Sequence, residues 1–183
     1  LKEVLDVWND SSPSFLIIQN SFQEIYFELL NKKIIDTKKT ILIGDISNKF
    51  ICTKYSDILE NKIIKFEENF NLSKPKDDWS LMYTSGTTGR PKGVVRNHNG
   101  YYLLAAITAI ELSISKQDNA LIVMPLCHAN SFNFFCSYIF AGASVSIYSK
   151  KSFEPAHFFD LITLYGSNFT SLVPTHYIIL LDY

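Results

Sequence analysis

Hydroxyl side chains, glycines and a lysine are concentrated between positions 84 and 93 of this chain of 183 residues. Those ten positions hold four hydroxyl residues, three glycines and Lys92. Glycines let bare backbone N–H groups approach a bound anion, hydroxyl groups add neutral donors, and a lysine adds positive charge. The stretch therefore predicts a cradle for a polyphosphate, whose candidate ligand-binding residues are Thr84, Ser85, Gly86, Thr87, Thr88, Gly89 and Lys92.

Two common nucleotide-binding patterns are absent from the sequence. Five residues after Gly86 the chain has Pro91, where the common phosphate loop has Gly-Lys-Ser/Thr. No Gly-x-Gly-x-x-Gly occurs either, which argues against a dinucleotide fold of the usual kind. A glycine-rich turn without a ligand is the alternative interpretation, but the length and order of the string favour ligand binding.

The string from Tyr83 to Gly93 resembles the phosphate-loop signature of the acyl- and aryl-CoA synthetases of the adenylate-forming superfamily. This resemblance implies that a carboxylic acid reacts with ATP to give an acyl-adenylate, which then passes its acyl group to CoA. It implies Mg²⁺ arriving with the nucleotide, a catalytic role for Lys92 and a place in fatty acid metabolism. It also implies that residues 1–183 are part of the large N-terminal adenylation domain, with the C-terminal part of the enzyme absent.

A histidine just past a predicted strand is the second candidate for chemistry. Ligands of open α/β sheets lie at the carboxyl ends of strands, and His128 follows the apolar run Ala120–Met124. The segment Pro125–His128 resembles the family's second signature, except that Cys127 takes the place of an aromatic residue. The resemblance implies that His128 is catalytic and borders the acyl carboxylate and the α-phosphate. A core histidine bonded to a backbone carbonyl is the alternative, and the small Cys127 is expected to leave room for a bulkier acid.

The residues after His128 are candidates for the acyl pocket. The resemblance implies that the helix following His128 forms a wall of that pocket, and the candidate pocket residues are Asn130, Asn133 and Phe134. Each of the three is equally well explained as an ordinary helix residue. Ser131 is interpreted as the N-cap of this helix, and His98 as a structural cap of an earlier one. The remaining histidines and the cysteines lack zinc-ligand spacing, so no metal site formed by the protein is predicted.

The apolar pattern predicts an α/β fold with a mostly parallel sheet flanked by helices. The predicted strands are Phe15–Ile18, Thr40–Ile43, Ser80–Thr84, Gly93–Arg96, Ala120–Met124, Ser144–Tyr148 and Asn168–Val173. Helices are predicted between most of them, and one of these begins with a capping box of Ser21 and Glu24. Strands of a parallel sheet present their carboxyl ends to one side. If His128 borders the carboxylate, Ser80–Thr84 and Ala120–Met124 are therefore expected to end on the same edge of one sheet.

Composition excludes several other classes of protein. Apolar residues make up 47% and charged residues 19% of the chain, which is typical of a globular domain. A net charge of −1 gives no electrostatic basis for binding nucleic acid. The stretch from Ala120 to Ser149 has no charged residue, but proline, asparagine and glycine interrupt it, so no membrane span is predicted. Three cysteines without paired spacing predict a reducing compartment, hence the cytoplasm.

Two alternatives to a CoA ligase remain open from the sequence. The same loop occurs in adenylation domains that load a carrier protein, so the acceptor thiol is not determined. The chain is also compatible with a non-catalytic module that binds a nucleotide or an acyl group. Neither the acid nor the oligomeric state follows from the residues.

Overall fold

The computed structural model describes residues 2–45, 52–60, 73–84 and 91–183. The chain divides into two compact units. The first comprises Leu1–Leu72 with Tyr83–Gly93, and the second comprises Ser73–Met82 with Val94–Tyr183.

The first unit contains a parallel three-stranded sheet. Its elements are α1 (Lys2–Ser11), β1 (Leu16–Gln19), α2 (Gln23–Asn31), β2 (Thr40–Ile43), β3 (Thr53–Lys54) and α3 (Tyr55–Glu60). The strand order is β1-β2-β3, and Leu16 of β1 lies opposite Thr40 of β2. The parallel crossover predicted from the sequence is thus confirmed, with Tyr26, Leu29 and Ile35 buried as its core.

The capping box predicted at the start of α2 is wrong. A short 3₁₀ helix over Asn20–Phe22 precedes α2, and the N-cap position falls on Phe22, which makes no side-chain cap. Because this turn already places Ser21 in helical backbone, its hydroxyl does not occupy the extended position from which an N-cap residue bonds the first amides.

Strands β4 (Asp78–Thr84) and β5 (Lys92–Asn97) flank the predicted phosphate cradle and pair with each other in a two-stranded sheet. The prediction that Ser80–Thr84 shares a sheet with Ala120–Met124 is therefore wrong. The strand formed by residues 119–122 is central in its own sheet and has a paired strand along each edge. Its backbone hydrogen-bonding groups are therefore already used, and β4 cannot pair with it.

The second unit contains a parallel sheet of order β7-β6-β8. Its elements are α4 (His98–Glu111), β6 (Asn119–Ile122), α5 (Ala129–Phe140), β7 (Ser144–Ile147), α6 (Pro155–Tyr165), β8 (Phe169–Thr170) and α7 (Pro174–Leu181). Leu121 of β6 lies opposite Ser146 of β7 and Thr170 of β8. The α/β class with parallel sheets and flanking helices is confirmed.

Helices α5 and α6 cover opposite faces of this sheet. Ala120 and Ile122 pack with Tyr138 of α5, whereas Leu121 packs with Phe158 of α6. Alternate residues of a strand point to opposite faces, which is why neighbouring residues of β6 contact different helices. The chain therefore passes from β6 to a helix on one face of the sheet, and from β7 to a helix on the other face. No helix in the described part of the chain is long and apolar enough to cross a bilayer.

Candidate active site

The two ends of the predicted phosphate cradle lie on paired strands. Thr84 is the last residue of β4, and Lys92 is the first residue of β5, with its side chain exposed. Lys92 therefore begins a strand, whereas the sequence predicts that the strand starts at Gly93 and that Lys92 lies in the loop. The cradle residues Ser85, Gly86, Thr87, Thr88 and Gly89 lie outside the described residues.

The strand that leads into the cradle is tied to α1. The hydroxyl of Tyr83 donates a hydrogen bond to the carboxylate of Asp10. That bond, together with partial loss of hydration, raises the pKa of Tyr83. This contact fixes the residue immediately before Thr84 within the first unit.

The strand returning from the cradle leads into a capped helix. The side-chain oxygen of Asn97 accepts a hydrogen bond from the Gly100 amide at 2.8 Å, so Asn97 is the N-cap of α4. The capping role predicted for His98 is therefore wrong. His98 is the first helical residue, and its ring lies 5.9 Å from that of Trp79.

His128 lies at the carboxyl edge of the second unit's sheet, in the turn between β6 and α5. Its amide donates to the Pro125 carbonyl, and its own carbonyl accepts from the Phe132 amide. It thereby occupies the N-cap position of α5, although its imidazole makes no cap hydrogen bond. The N-cap predicted at Ser131 is wrong, because this turn starts the helix earlier and buries Ser131 in its first turn.

A crevice of about 310 Å³ contains His128. We call it the carboxyl-edge crevice, because its walls are the segments that follow the carboxyl ends of β6 and β7, together with His176 on α7. The β6 side contributes residues 123–125 and His128, and the β7 side contributes Tyr148 and residues 150–153. Such crevices at the carboxyl edge are where open α/β sheets hold their ligands.

The β7 side of the crevice is held by an internal network. The Tyr148 hydroxyl donates to the Ser152 carbonyl at 3.1 Å and accepts from the Glu154 amide at 2.9 Å. Lys150 forms an ion pair with the Glu154 carboxylate, which raises the pKa of the Lys150 amine. The segment after β7 is therefore folded back on the phenol ring.

The three residues predicted to line the acyl pocket contact different parts of the unit. The Asn130 amide donates to the Ser171 hydroxyl at 2.9 Å, just beyond β8. The Asn133 amide lies 3.3 Å from the Thr108 hydroxyl of α4. Phe134 packs on the sheet, with its ring 4.7 Å from that of Phe169. Only Asn130 faces the carboxyl edge, and the roles of all three in a pocket stay predictions.

Sequence reasoning missed several residues of the crevice. The sequence predicts no site role for His176, Lys150 or Lys151. The rule that carboxyl ends of parallel strands meet at one edge could have found the two lysines, since they follow the predicted strand Ser144–Tyr148. Cys127, predicted to enlarge the pocket, is exposed and does not line the crevice.

Comparison with known proteins identifies the family. The model of the AMP-binding enzyme family matches residues 1–183. The chain belongs to the AMP-binding enzyme family. The 2-methylpropanoate–CoA ligase of Humulus lupulus is 30% identical over 126 residues, which are 67% of this chain and 21% of that enzyme. The matched part of this chain therefore covers about a fifth of that relative's length.

Solved structures of the family share the fold. A long-chain-fatty-acid–CoA ligase from Archaeoglobus fulgidus superposes with a TM-score of 0.78 at 24% identity, over 97% of this chain and 34% of that one. The o-succinylbenzoate CoA synthetase of Bacillus subtilis, solved in complex with AMP, gives a TM-score of 0.64 at 26% identity over 87% of this chain and 33% of that one. The adenylate-forming fold predicted from the sequence is thus confirmed.

The metal implied by the family has no cage of protein ligands in the described residues. They contain no group of three or more histidine, cysteine or carboxylate side chains that could hold an ion. Mg²⁺ binds readily through phosphate oxygens and retained waters.

Proposed function

We propose that the protein containing this chain is an AMP-forming ligase that activates a carboxylic acid with MgATP and transfers the acyl group to CoA. The observation that carries this proposal is the family match together with the intact string Tyr83–Gly93. Relatives named as CoA ligases support it further. We also propose a cytoplasmic location and a role in fatty acid metabolism.

In the first half-reaction a carboxylate oxygen attacks the α-phosphorus of ATP. The bond from that phosphorus to the bridging oxygen breaks, and pyrophosphate leaves with the electron pair. Hydroxyl groups and amides of residues 84–89, with the Lys92 ammonium, would bind the pyrophosphate oxygens and disperse their charge. Mg²⁺ would add neutralisation of the same phosphates.

In the second half-reaction the thiolate of CoA attacks the acyl carbon and AMP leaves. We assign His128 a positioning role beside the carboxylate and the α-phosphate, because it opens the carboxyl-edge crevice where α/β sheets bind ligands. The first carbons of the acyl group would lie beside Asn130, at the start of α5.

Acid-dependent exchange of labelled pyrophosphate into ATP tests the first half-reaction. The complete protein is incubated with MgATP and a panel of short-chain, long-chain and aromatic acids, and at least one acid is expected to support exchange. CoA is then added, and acyl-CoA is expected to form. Exchange without any CoA product would indicate a carrier protein as acceptor, and no exchange with any acid would refute the ligase assignment.

A further inference from the structure

The carboxyl-edge crevice lies where helices depart to opposite faces of the sheet. The chain runs from β6 to α5 on one face and from β7 to α6 on the other, as the packing of Ile122 and Leu121 shows. In α/β sheets the gap between two such neighbouring strands is the usual ligand position. The crevice is thus placed as a binding site independently of His128.

The walls of the crevice carry positive charge without an acidic counterpart. Its described lining includes Lys150, Lys151 and two histidines, and no aspartate or glutamate. Lys150 is paired with Glu154, whereas Lys151 takes part in none of the ion pairs between described residues. The unpaired ammonium of Lys151 suits an anionic oxygen, since charge-assisted hydrogen bonds are stronger than neutral ones.

His176 adds a second group that lacks a partner. Its ring stacks on Phe153 with centroids 4.4 Å apart, which fixes the plane of the imidazole against the β7 side of the crevice. Its Nδ1 is buried and has no hydrogen-bond partner among the described residues. Because Nδ1 is closed off from solvent, a ligand in the crevice would bond the imidazole through its other nitrogen, Nε2.

We propose that the carboxyl-edge crevice binds a second anionic group of the acid substrate, held by Lys151 and His176. The substrate class is then a carboxylic acid with a second negative charge. This inference rests on the proposed function, in which His128 borders the reacting carboxylate. Because His128 lines the same crevice of about 310 Å³, one small molecule spans both positions.

The test compares each dicarboxylic acid with its monoamide, which has the same length and lacks one charge. Pyrophosphate release by the complete protein is measured with glutarate, adipate and their monoamides. The unaltered protein is expected to favour the dicarboxylate in kcat/KM by about tenfold, as one charge-assisted bond would give. Lys151→Met should lower that preference about fivefold, and Lys151→Arg should restore it.

A second variant and a control separate this role from a structural one. His176→Phe keeps the ring stack on Phe153 and removes the nitrogens, so it should also reduce the preference for the dicarboxylate. Lys38→Met changes an exposed lysine of the other unit and should leave the preference unaltered. Retention of the full preference in Lys151→Met, or a Lys151→Met effect confined to the KM of CoA, would overturn the inference.

Two failures are distinguishable in this assay. Pyrophosphate release with monocarboxylic acids, but without preference for a second charge, overturns the anion site and leaves the ligase assignment standing. No release with any acid refutes both.

Discussion

At the scale of single residues, the candidates for chemistry lie at the ends of strands. Thr84 ends β4, Lys92 begins β5, and His128 follows β6. Each could be selected from the sequence because its residue type suits a ligand and an apolar run marks a strand beside it. Lys151 could be selected by the same rule, because it follows the predicted strand Ser144–Tyr148. His176 could not, since only the fold of α7 brings it to the crevice.

Lys92→Ala tests the charge at the base of the cradle. Only the first half-reaction has a pyrophosphate leaving group, so adenylation should slow far more than thioester formation from supplied acyl-adenylate. Loss of one well-placed charge contact should raise the barrier by about 2–4 kcal/mol. Single-turnover rates of the two half-reactions measure this, with Lys76→Ala in the turn before β4 as a control. Equal slowing of both half-reactions would remove Lys92 from this role.

At the scale of elements, the sequence predicts some helix caps and strand bounds correctly and others wrongly. Thr40–Ile43 was predicted with its observed bounds, because turn residues delimit its apolar run. The strand predicted at Asn168–Val173 is only Phe169–Thr170, because β6 pairs with it at just two positions, Ala120 and Leu121. The extent of a strand depends on its partner, and no local pattern contains that information.

Asn97→Ala should destabilise the start of α4. The Asn97 side chain accepts a hydrogen bond from the Gly100 amide, and loss of an N-cap costs about 1 kcal/mol. Hydrogen exchange of the Gly100 amide should then become about fivefold faster, as that free energy implies. Asn99→Ala, in the same turn but without a cap bond, is the matched control. Unchanged exchange at Gly100 would show that the cap contributes nothing.

Gly166→Ala tests the left-handed backbone that ends α6. Gly166 has φ of 61°, and a Cβ built there meets no atom within 4 Å, so the cost is that of the backbone conformation alone. The free energy of unfolding should fall by about 1–2 kcal/mol, measured as a lower urea midpoint. Gly166→Asn should lower the free energy of unfolding less than Gly166→Ala does, because asparagine tolerates left-handed backbone better than alanine. Similar losses in both variants would point to a cause other than φ.

At the scale of the whole molecule, one buried phenol should make stability depend on alkaline pH. Burial, with the nearby Asp118 carboxylate, raises the pKa of Tyr138 from 10.0 to about 12. Between these values the folded protein retains a proton that the unfolded chain has lost. Stability should therefore fall as pH rises from 10 toward 12, because unfolding releases that proton.

Tyr138→Phe should flatten this alkaline decline, whereas Tyr102→Phe, at a side chain that is largely exposed, should not. Urea denaturation at a series of pH values from 8 to about 12 measures the slope for each protein. The decline should be reduced and not abolished, because the pKa values of Tyr26 and Tyr83 are raised as well. An identical slope in both variants would contradict the assignment to Tyr138.

After β6 and β7 the chain turns to opposite faces of the sheet, and this has a consequence for how such proteins diverge. The pairing of β6 with β7 ends with a hydrogen bond from the Tyr148 amide to the Ile122 carbonyl, and the segments that line the carboxyl-edge crevice continue beyond it. Substitutions at the exposed residues 150–152 can therefore alter what the crevice accepts without removing a hydrogen bond of that ladder. At these three positions, selection for a new substrate acts on side chains that the sheet does not bury, so the crevice can change while the sheet is retained.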